Sequence, residues 1–443
     1  MRTLRGGSEK DVALVSEGAL YTYGQLARAV EQEKFRLAKY PEGPAFLLFR
    51  TDLKSIVQFL ACYESGRIVI LLDPAINSTT LETLVTNFCP NVVLGSSLRL
   101  PLYRDVNGAQ IRKTDVPEAE ESLALLIPTS GSTGSSKMVK LSRDAIKLNA
   151  SQIVSSLSIA QHDRAVLNLP LFYSYGLSVL TSHLVAGASL YIPSASSMQR
   201  TFWEEIRSGD VTSFAGVPFT YQAILKGGFK LNNFPAIKRL TQAGGRLEET
   251  LVSTLHEQAT RASAEFNVMY GQTEATARMA VLQHQDFPEH PGSVGCAVPG
   301  GSFEIIENEI HYSGPNVMLG YASDRLDLAK PDEFGSNLPT GDQGRLEGKF
   351  LFITGRSSRI LKINGLRVDL NHLEEQFGGI GRVTAVEHKN GVRIFVEPGM
   401  SASAKSLLDR FSRRFARSFE VVEIEDLPRT SSGKIDYRGL SEL

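Results

Sequence analysis

The chain has 443 residues and a formal net charge of −1 from 47 Lys+Arg and 48 Asp+Glu, which removes the electrostatic case for a nucleic-acid or anionic-membrane binder. With 42% hydrophobic and 21% charged residues, wholesale disorder and fibrous architectures are excluded, and the length favours two or three domains. Cys62, Cys89 and Cys296 are widely spaced, with no CxxC, which argues against a disulfide framework or a thiolate zinc site and reads as small buried hydrophobes.

The N-terminal MRTLRGGSEKDVALVSEG lacks an apolar run fit for a signal peptide, and no stretch approaches about 20 uninterrupted apolar residues, so a cytoplasmic protein is expected. From AFLLF (45–49) through the helical DLKSIVQFLACYESG (52–66) to RIVILLDP (67–74), apolar strand-like runs alternate with amphipathic segments. The rhythm recurs at 92–95, 123–130, the helical 143–157, 164–171, 188–194 and 212–218. It predicts an α/β body of mixed, mostly parallel sheets flanked by helices. Short Gly- and Pro-rich segments between about 285 and 355 predict a small β subdomain. After GRSSR (355–359) a compact α+β unit is expected: ILKINGLRV strand-like, NHLEEQFGG helical, two further strands, a helix over 404–419 and VVEIEDL. This places an N-terminal domain at 1–357 and a C-terminal domain at 358–443.

Four segments carry chemistry. In LLIPTSGSTGSSKMVKLS (125–142) a strand enters a loop of glycines and hydroxyls ending at Lys137, which suits backbone N–H groups and side chains wrapped around phosphate oxygens. It is not a Walker loop, having Ser136 and Met138 where that pattern needs Gly and Ser or Thr, and alone it also fits a flexible surface loop. FNVMYGQTEATARM (266–279) sets an aromatic, a glycine, a hydroxyl and a carboxylate at Tyr270, Gly271, Thr273 and Glu274, able to stack a purine, touch a phosphate and hold Mg²⁺; a strand end with a capping Thr reads the same. In 337–368, Asp342 lies in a tight Gly-Asp-x-Gly turn with Arg356 and Arg367 beyond, suited to ribose hydroxyls or to an Asx-turn. DLPRTSSGKIDYRGL (426–440) presents Lys434 from a polar loop, where a solvated charge is the plain alternative.

In this order and spacing the four motifs resemble the adenylate-forming superfamily of acyl-CoA synthetases, aryl-CoA ligases, luciferases and peptide-synthetase adenylation domains. LYTYGQLARAV (20–30), GRIVILLDP (66–74), LPLFYSYGLSVL (169–180), FAGVPFTYQAIL (214–225), LTQAGGRL (240–247) and SGPNVMLGYAS (313–323) extend the similarity over nearly the whole chain. The resemblance implies activation of a carboxylic acid by ATP and Mg²⁺ to an acyl-adenylate, then transfer to CoA or to a carrier-protein phosphopantetheine. It implies that Thr129, Ser130, Gly131, Ser132, Thr133, Gly134 and Lys137 hold the departing phosphates, Thr273 the α-phosphate, and Glu274 the metal. Gly244, Gly245 and Arg246 would line an adenine slot closed by Tyr270 beside Gly271, Asp342 and Arg356 would take the ribose, and Lys434 would reach the reacting oxygens. A C-terminal domain that swings about a hinge is also implied; the hinge position carries Ser358 where relatives have Asp or Lys.

Tyr173, Tyr175, Gly176, Val217, Pro218, Gly244, Met269 and Ala275 are the candidates for an acyl pocket, with core packing the alternative for the aromatics. No acidic residue lies between Asp163 and Trp203, which disfavours an α-amino acid and points to a small or medium aliphatic, hydroxy or aryl acid. Over 404–419, Lys405, Arg410, Arg413, Arg414 and Arg417 stand against Asp409 alone, a solvated face or a dock for an acidic carrier protein or the CoA 3′-phosphate. An amino-acid-loading enzyme and a non-catalytic nucleotide-binding homologue remain as alternatives.

Overall fold

A computed structural model describes residues 3–113, 115, 118–128, 137–356, 359–363, 366–377, 379, 381–389, 391–411, 419–430 and 433–443. The chain forms two compact units, Met1–Phe303 with Tyr312–Leu338, and Glu304–His311 with Pro339–Leu443. The expected boundary at 357/358 falls on Ser357 and Ser358, which lie outside the described residues.

The first unit is built on two mixed sheets. One has a parallel centre in which Glu265–Tyr270, Arg239–Gln242, Ser213–Gly216, Arg164–Val166 and Ser189–Ile192 lie side by side, with antiparallel strands at its edges. The other centres on the parallel Ala45–Leu48, Val69–Leu72 and Leu123–Pro128, the last turning antiparallel into Met138–Ser142. Val69–Leu72 and Ala45–Leu48 are buried at every position, so their unbroken apolar runs pack on both faces, as helix-flanked parallel sheets require.

Local chemistry sets the helix ends. Asp52 accepts a hydrogen bond from Ser55 N at 2.7 Å to start Leu53–Ser65, and Gly66 closes it at φ +84°. Thr22 and Gln25 form a reciprocal capping box at the head of Tyr23–Leu37. The large α/β body is therefore as the apolar rhythm predicts. Of the cysteines, Cys62 is fully buried, whereas Cys89 and Cys296 are only partly so, and none of the three forms a disulfide.

In the second unit Asp342–Glu347, from the strand Asn337–Glu347, pairs antiparallel with Phe350–Arg356. Ile360–Ile363 and Leu366–Asp369 form a hairpin, and Val383–His388, Gly391–Val396 and Phe419–Glu423 form a three-stranded sheet. Leu370–Phe377 and Ser401–Phe411 bury Leu370, Leu373, Phe377, Ala404 and Leu408 against that sheet's Ala385, Val392 and Ile394. Two expectations are corrected. ILKINGLRV is two antiparallel strands rather than one, with Ile363 paired to Leu366. GDQG is not a turn: Asp342 sits inside Asn337–Glu347, where Gly341 supplies φ +71° and a register shift falls between Gln343 and Gly344. Glycines that read as turn signals here kink and bulge a strand.

Candidate active site

Four neighbouring parallel strands release candidate residues at their C-terminal ends, where open α/β sheets bind ligands. Arg164–Val166 leads to Tyr173 and the helix Ser174–Ala186. Ser213–Gly216 leads to Val217, which precedes Pro218 at the start of Pro218–Lys226. Arg239–Gln242 leads to Gly244, Gly245 and Arg246, and Glu265–Tyr270 leads to Gly271, Thr273, Glu274 and Ala275.

The last of these turns is tightly specified. A Cβ on Gly271 would lie 1.7 Å from Ala277 O, so only glycine fits. Thr273–Ala275 makes one 3₁₀ turn, and Thr276 follows at φ +64°, a strained conformation for a β-branched residue. Asn316, fully buried, holds the turn: its Nδ2 donates to Ala275 O at 2.8 Å and to Arg278 O at 3.0 Å, and its own carbonyl accepts from Thr276 Oγ1. Thr273 Oγ1 shares a hydrogen with Ser174 Oγ at 3.1 Å.

Glu274 is joined to the predicted phosphate lysine through one side chain. Tyr321 Oη donates to Glu274 Oε1 at 3.1 Å, and Lys137 Nζ lies 3.6 Å from the centre of the same ring. Burial, then the neighbouring carboxylate, pushes the Tyr321 phenol well up, so it stays a donor at neutral pH. The expected phosphate-loop residues Thr129, Ser130, Gly131, Ser132, Thr133 and Gly134 lie outside the described residues; Pro128 and Met138, which bracket them with Lys137, are paired. Mg²⁺ typically binds proteins through one or two carboxylates plus substrate phosphates, and a single oriented Glu274 carboxylate fits that donor set.

Gly244 has φ +86°, Gln242 Nε2 donates to Gly245 O at 2.8 Å, and Arg246 reaches the exposed Glu249 at 3.5 Å. Tyr270 is buried, its ring 6.3 Å from Phe303. Tyr173, Tyr175, Val217 and Met269 share one apolar cluster with Ala215 and Ala243. Tyr175 Oη is bound by Thr241, and Arg278 stacks on its ring at 4.1 Å while donating from Nε to Met269 Sδ. Gly176 lets the helix start approach Pro170 O, and Ala275 is fully buried in the 3₁₀ turn, both outside that cluster.

In the second unit, Arg356 Nε donates to Asp342 Oδ1 at 2.6 Å across paired positions of the hairpin. Asp342 is buried while the Arg356 side chain is half exposed. Lys434 is half-buried in a loop closed by Thr430 N donating to its carbonyl at 2.8 Å. Ser358, Arg413, Arg414 and Arg417 lie outside the described residues. Sequence reasoning singled out neither Asn316 nor Tyr321, although both sit in SGPNVMLGYAS, and it missed Ser174, Phe303 and Arg278. Their roles depend on contacts across distant parts of the chain.

The model of the AMP-binding enzyme family matches residues 5–322. The 2-succinylbenzoate–CoA ligase of Listeria monocytogenes is 22% identical, with 98% of this chain and 97% of that protein covered. The oxalate–CoA ligase of Arabidopsis thaliana is 27% identical over 73% of this chain and 68% of its own length. The Bacillus subtilis O-succinylbenzoate coenzyme A synthetase in complex with ATP and magnesium ion superposes with a TM-score of 0.76 at 20% identity, covering 98% and 97% of the two chains. The strand-end architecture, the Thr273–Glu274 turn and the family match agree: this chain belongs to the AMP-binding enzymes of the adenylate-forming superfamily.

Proposed function

We propose that the enzyme activates a carboxylic acid with ATP and then passes the acyl group to the thiol of CoA or of a carrier-protein phosphopantetheine. In the first step a carboxylate oxygen bonds to the α-phosphorus as the bond to pyrophosphate breaks. In the second a thiolate bonds to the acyl carbon and AMP leaves with its electron pair. The observation that carries this reading is the Lys137–Tyr321–Glu274 chain, which sets a cation and a hard oxygen ligand in one cluster.

Two anions must meet in the first step, so charge neutralisation and positioning dominate. Mg²⁺, when bound, would spread the phosphate charge, with Glu274 its protein ligand. Thr273 would donate to the α-phosphate, with Ser174 Oγ fixing its hydroxyl rotor. Lys137 and residues 129–134 would hold the departing phosphates, and Gly244, Gly245, Arg246 and Tyr270 the adenine. Asp342 would accept the ribose hydroxyls while Arg356 keeps its carboxylate oriented. Lys434 would bridge the acid and the α-phosphate, carried by a C-terminal domain hinged near Ser358. Tyr173, Tyr175, Gly176, Val217, Met269 and Ala275 would shape the acid's pocket. The names of the CoA ligases above support a CoA-type acceptor.

Acid-dependent ATP–pyrophosphate exchange tests the reading. Lys434→Ala should lower exchange by at least about 10²-fold with an unchanged unfolding midpoint. Undiminished exchange in that variant removes the assigned mechanism, and exchange with no acid at all removes the function.

A further inference from the structure

Arg278 is 3% exposed, yet no acidic side chain among the described residues pairs with it. Its titratable neighbours are the phenols of Tyr175 and Tyr173, and burial lowers its proton affinity. An uncompensated buried guanidinium is expensive, and a stacked ring recovers only part of the lost hydration. Its Nε is spent on Met269 Sδ at 3.2 Å.

The same side chain lines a cavity of about 20 Å³ together with Ser178, Ser182, His183, Ser213 and Thr241 on one hand and apolar side chains such as Ile153, Leu157 and Val179 on the other. A second buried polar atom is left over in that lining: His183 Nδ1 bonds Val179 O at 2.9 Å, while Nε2 has no partner among the described residues. With its Nδ1–H donated, Nε2 is an acceptor. The cavity thus joins a cation seeking an anion to an acceptor seeking a hydroxyl, against the cluster that holds Tyr173, Tyr175 and Met269. Such free space admits about one water-sized group and no hydrocarbon chain.

We propose that Arg278 and this cavity form a subsite for a second anionic group on the acid being activated, making the substrate a short dicarboxylic acid. The inference rests on the acid-activating reading above and narrows its substrate class. The distal carboxylate would lie against the guanidinium in a charge-assisted pair, and one bridging water in the cavity would donate to His183 Nε2. A monocarboxylic acid of equal length would leave Arg278 unpaired and bind worse for that reason.

The test compares malonate, succinate and malate with propionate and butyrate in ATP–pyrophosphate exchange, using the full chain and its Arg278→Met and Arg278→Lys variants. The expected result is a kcat/KM for a diacid on the order of 100-fold above its monocarboxylic counterpart. In Arg278→Met that ratio should fall towards 1, and Arg278→Lys should keep part of it. Unfolding midpoints identify a variant that fails to fold; the wild-type ratio and the Lys variant then decide. Monocarboxylic acids used as well as diacids by the wild type would overturn the subsite while leaving acid activation standing. An equal loss on both acid classes in Arg278→Met would assign Arg278 a structural role and also overturn it. Exchange with no acid would overturn the acid-activating reading and this subsite together.

Discussion

Tyr321 Oη donates to Glu274 Oε1 at 3.1 Å, from a ring that also lies under Lys137 Nζ at 3.6 Å. One tyrosine therefore sets both the rotamer of the candidate metal ligand and the place of the candidate phosphate cation. Tyr321→Phe removes the hydrogen bond and keeps the ring. It should raise the Mg²⁺ concentration needed for half-maximal exchange by about 10-fold, as losing an outer partner of a metal ligand does. Tyr321→Leu, which also removes the cation–π contact, should raise the KM for ATP as well. Identical Mg²⁺ dependence in Tyr321→Phe and wild type would disconnect Tyr321 from the metal site.

The turn that presents Thr273 and Glu274 depends on a residue some forty positions away. Asn316→Ala strips donors from Ala275 O and Arg278 O and an acceptor from Tyr312 Oη, all buried. Leaving such groups unpaired costs about 1–3 kcal/mol each before relaxation, so denaturant unfolding should show a loss of roughly 3 kcal/mol. Exchange activity in the folded fraction should fall too, because the Asn316 amide ties Ala275 O and Arg278 O on either side of Thr276, which sits at φ +64°. A variant within about 0.5 kcal/mol of wild type would mean that the turn holds itself.

Much of this was legible in the chain. Alternating apolar runs revealed the sheet strands because buried parallel strands need apolar residues on both faces, as Val69–Leu72 shows. Tyr270, Gly271, Thr273 and Glu274 could be singled out together because they lie within one short segment, which the structure folds into one strand-end turn. Asn316, Tyr321 and Arg278 could not, because what distinguishes each is a contact or a missing one, set by tertiary packing. Asp342 was singled out for its chemistry but misplaced in a turn: GDQG has turn composition, and only pairing with Phe350–Arg356 reveals a kinked strand.

Two glycines separate steric need from conformational need. At Gly271 an added methyl would sit 1.7 Å from Ala277 O, a backbone atom that cannot yield without moving the Thr273 turn. Gly271→Ala should cut exchange by at least about 10²-fold and lower the unfolding midpoint. At Gly341 the φ is +71° with no atom within 4 Å of the added methyl, so Gly341→Ala should cost only about 1–2 kcal/mol in conformational strain. Equal stability losses at the two positions would contradict this division.

His183 makes stability depend on pH in a defined direction. Burial, opposed by the hydrogen bond to Val179 O, lowers its pKa from 6.5 to about 4; of its charged neighbours, Asp163 favours and Arg239 disfavours protonation. Between pH 6.5 and about 4 the unfolded chain therefore binds a proton that the folded chain refuses. The contribution of neutral His183 is complete above the unfolded pKa and is lost as pH falls through that window. From pH 7 to pH 5 the loss attributable to this residue should be about 2 kcal/mol. Urea unfolding of wild type and His183→Asn at both pH values measures it: the variant is less stable at pH 7 but should lose correspondingly less on acidification. Parallel losses in the two proteins would show that His183 titrates normally in the folded state, which its burial beside the Arg278 cavity does not allow.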